Sequence, residues 1–146
     1  VAKDPGTEHL PRTDYARFRE LLLREVNALR SVGVSPVLMT LPPIDAEKYL
    51  KWVSGGVASA REGILKWLGS VTKLYWWQER YNSAIVGVAG ETGARLIDIR
   101  GAFLARPDFQ ELLCADGIHP NAAGHRVIAA GIMDYVKLRC PYLLKA

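Results

Sequence analysis

Asp116 and His119 stand three residues apart in the run Cys114-Ala115-Asp116-Gly117-Ile118-His119-Pro120-Asn121-Ala122-Ala123-Gly124-His125. The glycine between them and the Pro-Asn pair behind them predict a turn. Such a turn can bring a carboxylate to Nδ1 of the imidazole three residues ahead. A histidine held that way has its tautomer fixed and its imidazolium stabilised, which leaves Nε2 free to take a proton from a hydroxyl nucleophile. This is the Asp–His half of a catalytic triad. An isolated D-x-x-H is also what a turn-capping aspartate beside a surface histidine looks like, so the surrounding elements decide its weight.

Those elements follow a repeated grammar. Residues 1 to 12 hold Pro5, Gly6 and Pro11 among charges and predict an irregular lead-in, after which Thr13 offers an N-cap hydroxyl. Tyr15, Phe18, Leu22, Val26 and Leu29 then recur at steps of three and four, one face of a helix that Gly33 stops in the left-handed conformation. The almost wholly apolar run from Val34 to Leu41, closed by Pro42 and Pro43, predicts a parallel strand buried on both faces. A second helix, from about Val71 to Thr92, ends at Gly93 and leads into a second strand over Ala94–Ile99. Helix, glycine, strand, twice over, is the αβ half of a crossover unit and points to a doubly wound α/β sheet. A final helix is expected from about Ala122 to Leu138, and a short helical piece around Asp108 to Leu113.

Residues 44 to 70 are too long for a plain loop and predict short helices, a wall or lid over a site, with Tyr49, Trp52, Ile64, Leu65, Trp67 and Leu68 as apolar anchors. Trp76 and Trp77 diverge by about 100 degrees on a helix, so one is expected at a boundary. The Asp116–His119 loop lies downstream of the last strand, at the end of an open sheet where ligands bind.

In that setting the string Asp-Gly-Ile-His-Pro-Asn-Ala-Ala-Gly-His resembles the last block of the GDSL, or SGNH-hydrolase, family of serine esterases and lipases. The strand ending in Leu41-Pro42-Pro43 is similar to that family's strand after its third block. The resemblance implies the C-terminal part of a three-layer α/β/α flavodoxin-like fold, two parallel strands with their helices. It further implies carboxylic-ester cleavage without a cofactor, with His119 as general base and Asp116 as its orienting partner. The family's Gly-Asp-Ser nucleophile motif and its Gly-x-Asn-Asp block do not occur in these 146 residues. Ser31, Ser35, Ser54, Ser59, Ser70 and Ser83 fall at helix ends, at a strand start and in the middle segment. Residues 1–146 are therefore expected to form a partial domain, inactive alone, whose exposed sheet edge takes a complementing N-terminal segment or a second copy.

Other function classes are weakly served. The net charge of +4 comes from scattered Lys and Arg, without the basic stripe of a nucleic-acid binder. No window reaches the roughly 18 apolar residues of a membrane span. The absence of an apolar signal core favours a cytoplasmic protein, although a mature secreted form would lack one too. Cys114 and Cys140 have no metal-ligand or redox spacing and predict free thiols. A zinc site from Asp116, His119 and His125 is disfavoured by the six-residue step between the histidines and the lack of H-E-x-x-H. His125, in the first turn of the last helix, is expected to pack or hydrogen-bond, and His9 has no assigned task. A noncatalytic interaction module is the alternative reading. An acyltransferase would share every residue named.

Overall fold

In the computed structural model, which describes residues 4–144, two parallel strands sit among six α-helices. In chain order these are α1 (Tyr15–Ser31), β1 (Val37–Met39), α2 (Ala46–Val53), α3 (Ala58–Leu68), α4 (Thr72–Thr92), β2 (Arg95–Ile97), α5 (Ile99–Leu104) and α6 (Ala122–Arg139), with single 3-10 turns at Phe109–Leu112 and Pro141–Leu144. The expected lead-in is irregular from residue 4 to 14, its first three residues lying outside the described part.

β1 and β2 pair in parallel with Val37 opposite Arg95, Leu38 opposite Leu96 and Met39 opposite Ile97. Ile97 packs into a cluster of Ile99, Phe103, Leu112 and Leu113 with Val127 and Ile128 of α6. Strand alternation turns Leu38 and Leu96 to the opposite face, where α4 meets both strands. Helix α1 lies against α4, and Tyr81 joins them: its ring is edge-on to Phe18 at 5.0 Å and to Tyr15 at 6.3 Å.

The expected elements exist, with corrections at their borders. Both strands are three residues long, shorter than the apolar runs that contain them. β1 is also not buried on both faces, because Val37 and Met39 are each 40% exposed. Helix α6 packs against β2, and Val37 and Met39 of β1 are only partly covered. The cap of α1 is Asp14, whose carboxylate accepts from the Arg17 amide at 2.9 Å, and not Thr13. The Thr13 carbonyl instead accepts from the Tyr81 hydroxyl. Gly33 and Gly93 both take positive φ after their helices.

The middle segment folds as short helices that build a second core. Leu50, Ile64 and Leu68 pack there with Val53, Leu65, Trp67, Val71, Leu74 and Trp77. Trp52, an expected anchor, is 60% exposed instead. The tryptophan pair divides: Trp77 enters this core, while Trp76 is half exposed with the Arg80 guanidinium 4.6 Å over its ring. The lead-in is strapped to α3, since the Trp67 indole donates to the Pro5 carbonyl at 3.0 Å and the His9 ring sits edge-on to Trp67 at 5.8 Å.

Candidate active site

The loop between the 3-10 turn at Phe109–Leu112 and α6 is fastened at both ends. Leu113 bridges to Pro120, the Cys114 amide donates to the His119 carbonyl at 2.7 Å, and the Asn121 amide donates to the Leu112 carbonyl at 2.9 Å. Asn121 does two jobs. Its Oδ1 caps α6 by accepting from the Ala123 and Gly124 amides at 2.9 and 3.1 Å, while its Nδ2 donates to the carbonyls of Glu111 and Leu113. The start of α6 comes so close to the loop that a Cβ at Gly124 would lie 2.4 Å from the Leu112 carbonyl oxygen.

The tip of the loop rests on the start of α2. Gly117, at φ 73°, accepts a hydrogen bond on its carbonyl from the Asp45 amide at 2.8 Å. A Cβ there would meet the Asp45 carbonyl oxygen at 2.5 Å and the Tyr49 nitrogen at 2.9 Å. An alanine at 117 thus adds backbone contact to left-handed strain, and such strain alone costs roughly 1–3 kcal/mol. Gly117→Ala is expected to lower the unfolding free energy by at least that amount, read from urea denaturation monitored by circular dichroism.

Between these fastenings Asp116 and His119 meet. One carboxylate oxygen of Asp116 accepts from the Ile118 and His119 amides at 3.0 and 3.1 Å, and the other lies 2.5 Å from Nδ1 of His119. The hydrogen bond from the His119 ring, and then that from the Ile118 amide, hold the Asp116 carboxyl down at about 2. It is therefore an anion at neutral pH, and because a carboxylate only accepts, the proton of this bond belongs to Nδ1. In the neutral ring this tautomer leaves the lone pair on Nε2. Asp116 is 16% exposed and the imidazole 73% exposed, so the anchor is sheltered while the ring stands open.

A cavity of about 420 Å³ opens beside the ring, lined by Ile118, His119 and Pro120 on one side and by Leu41, Pro42, Tyr49 and Trp77 among others opposite. Leu41 and Pro42 come after Thr40 in the segment that leaves β1, which puts the cavity at the carboxyl end of the sheet. Two α4 side chains that sequence reasoning passed over hold this segment. The buried Asn82 accepts from the Leu41 amide at 3.0 Å, and Gln78 donates to the Pro42 carbonyl at 2.9 Å. Their signal was faint: two amides in a helix recognised by its glycine stop and the strand behind it. Thr40, also buried, bonds to Asp98 at 3.1 Å and accepts from the Arg100 amide at 2.8 Å, tying the ends of the two strands together.

None of the serines lines this cavity among the described residues. His125 lies exposed on α6, its amide donating to the Asn121 carbonyl at 2.8 Å and its ring in no hydrogen bond among the described residues. No three His, Cys, Asp or Glu side chains among the described residues gather closely enough to hold a metal ion. Cys114 and Cys140 are free thiols, the former 3.6 Å from the Pro120 carbonyl. None of the helices described is long and apolar enough to cross a membrane.

Comparison with known proteins agrees in both sequence and fold. A GDSL esterase/lipase of Arabidopsis thaliana, CPRD49, is 24% identical over 129 residues, which are 88% of this chain and 46% of that protein. The crystal structure of a lipase/acylhydrolase from Enterococcus faecalis superposes with a TM-score of 0.61 at 22% identity, covering 94% of this chain and 58% of that one. The structure of LAE5, an alpha/beta hydrolase enzyme from the metagenome of Lake Arreo, Spain, superposes at 0.55 with 23% identity over 83% and 46% of the two chains. The chain thus spans about half the length of these relatives. Residues 8–127, from the strap through the Asp116–His119 loop and into α6, match the sequence pattern of the GDSL-like Lipase/Acylhydrolase family, and to that family the chain belongs.

Proposed function

We propose that this chain supplies the base and its orienting acid to a serine hydrolase of carboxylic esters. The observation that carries the reading is the 2.5 Å contact of Asp116 with Nδ1 of an imidazole whose other face opens on an apolar cavity. A serine hydroxyl brought to Nε2 of His119 loses its proton there as it attacks the ester carbonyl. The imidazolium, stabilised by Asp116, then gives that proton to the leaving alkoxide. Water, deprotonated by the same ring, cleaves the acyl-enzyme and restores the serine. An alcohol in place of that water makes the same residues an acyltransferase, so the acceptor and not the site separates the two activities.

The serine comes from outside residues 1–146, which form the C-terminal part of the catalytic domain. Support for this comes from the coverage of the relatives and from β1, whose outer edge is unpaired among the described residues and whose Val37 and Met39 stand exposed. A preceding strand that pairs with β1 would satisfy that edge, with its own side chains and helix flanking Val37 and Met39, and a second copy of the chain is the other candidate partner. The same edge favours the alternative of a noncatalytic module that binds a partner strand. Two free thiols accord with a cytoplasmic setting.

A fluorophosphonate probe tests the reading. The 146-residue chain alone is expected to remain unlabelled and to leave p-nitrophenyl butyrate intact. The same chain joined to the preceding coding sequence of its gene is expected to label on one serine and to turn over the ester. Labelling or turnover by the short chain, lost on His119→Ala, would place the nucleophile within it. Inertness of the longer protein would favour the binding module.

A further inference from the structure

The first turn of α2 grips the Asp116–His119 loop at two points. At the tip, the Asp45 amide donates to the Gly117 carbonyl at 2.8 Å. At the entrance, Nζ of Lys48 donates to the Gln110 carbonyl at 3.0 Å, and that carbonyl also accepts from the Leu113 amide at 3.3 Å, where the 3-10 turn gives way to the loop. The base of the Lys48 side chain closes on the tip, since a Cβ added at Gly117 would come within 2.8 Å of Lys48 Cβ. Helix α2 is itself fixed: Ala46 and Leu50 are fully buried, and the Ala46 amide donates to the Tyr75 hydroxyl at 3.3 Å.

Lys48 is an odd residue for its place in the helix. Asp45 is the N-cap, its carboxylate accepting from the Lys48 amide at 3.0 Å, so Lys48 stands at the third helical position. A Glu or Gln there would reach back to the N-cap amide and complete a capping box, but the Asp45 amide is spent on Gly117 instead. A cation in the first turn also opposes the helix dipole. The ammonium lies 3.9 Å from an Asp45 carboxylate oxygen, too far for a hydrogen bond. Helix stability therefore does not account for this side chain, whereas its bond to Gln110 does.

We propose that Lys48 is a positioning residue for the Asp116–His119 pair: with the Asp45 amide it forms a clamp that fixes the entrance of the loop relative to its tip and so sets the carboxylate against Nδ1. The proposal rests on the reading of His119 as the base. Lys48 bonds to neither side chain of the pair among the described residues, and it acts through the backbone. Gly117 directly follows Asp116, while the Leu113–Pro120 bridge and the 2.7 Å bond from the Cys114 amide to the His119 carbonyl carry a shift at the entrance across to the histidine. A displaced entrance loosens the 2.5 Å contact, and the neutral imidazole then loses its preference for carrying the proton on Nδ1.

Nuclear magnetic resonance of the longer, serine-bearing protein, labelled with nitrogen-15 in its histidines, tests this beside steady-state turnover. Wild type is compared with Lys48→Met, which keeps the stem and loses the ammonium, and with Lys48→Arg, which keeps a charged donor. The His119 signals are those that vanish in His119→Ala. With the ring neutral, the wild-type imidazole is expected to hold its proton on Nδ1, and Lys48→Met to give a mixture of tautomers, read from the two ring-nitrogen shifts. In Lys48→Met, kcat for p-nitrophenyl butyrate is expected to fall about 10- to 100-fold with KM nearly unchanged, the scale of a misplaced catalytic group. Lys48→Arg is expected to restore the single tautomer and most of kcat. Lys48→Gln, one bond shorter than lysine, is the second variant should methionine disturb folding, and it is expected to give the same mixture. A tautomer population unmoved in Lys48→Met and Lys48→Gln, whatever the change in thermal stability, would overturn the proposal. So would a raised KM with kcat retained, the mark of a group that holds the substrate. Mixed tautomers in Lys48→Met without His119-dependent turnover would sink the esterase reading and leave the clamp standing.

Discussion

In the serine-bearing protein, His119→Ala is expected to lower kcat/KM for p-nitrophenyl butyrate by roughly 10²–10⁴-fold or more, the range in which general acid–base catalysis contributes. The loss should fall on kcat, because a general base acts on a proton in flight and contributes little to holding the ground-state ester. Stability should fall only by the loss of the ring's bond to Asp116. The ring is 73% exposed, and its one structural attachment is the bond to Asp116. Stopped-flow measurement of acylation together with steady-state turnover separates these outcomes, and a variant that retains kcat while raising KM would show His119 to be a binding group.

Asp116→Asn should be as damaging to turnover as removal of the side chain, for a reason visible in the hydrogen bonds. One oxygen of Asp116 already accepts from two amides, Ile118 and His119. An asparagine must keep its oxygen there, which leaves its NH₂ facing Nδ1. Donation from the amide forces the imidazole proton onto Nε2, the wrong tautomer for taking a proton from serine, and this exchange costs roughly 10⁴-fold in the triad where it is best known. Asp116→Ala frees the tautomer but loses the anchor and the two amide bonds. The asparagine variant is thus expected to be the more stable and no more active, measured by thermal denaturation beside kcat. Acid has the related effect. Because the carboxyl is held down at about 2, its contribution to stability is complete above the ordinary carboxylate range near pH 4 and fades as pH falls through about 2. The stability difference between the wild-type protein and Asp116→Asn should close over that window.

The chemistry-bearing loop was legible because its information is local. An acid, a glycine able to take positive φ, a histidine and a Pro-Asn pair fit within six residues, and no distant contact is needed to see what they can do. The helices were legible through periodicity. The glycines after α1 and α4 placed the strand starts to within a few residues. The strand ends were harder, because an apolar run records how much hydrocarbon can be buried and not where the ladder stops. Here the chain leaves the sheet after Met39, and Asn82 and Gln78 capture Leu41 and Pro42 from a helix some 40 positions on. Nothing near residue 41 announces that. The exposure of Val37 and Met39 was equally hidden, since continuous apolarity reads the same whether a second layer covers the strand or not. Gly117 could be read as a turn residue but not as the point where the loop touches α2, a contact between parts of the chain about 70 residues apart.

The double role of Asn121 bears on how the protein would fail under stress. The same side chain caps the last long helix and ties down both flanks of the loop, and Gly124 presses that helix against the Leu112 carbonyl. The backbone of the loop that carries His119 is therefore tied to the helix behind it. Heat or denaturant is expected to release that backbone together with the start of the helix, a cooperative opening event larger than a fluctuation of a few surface residues.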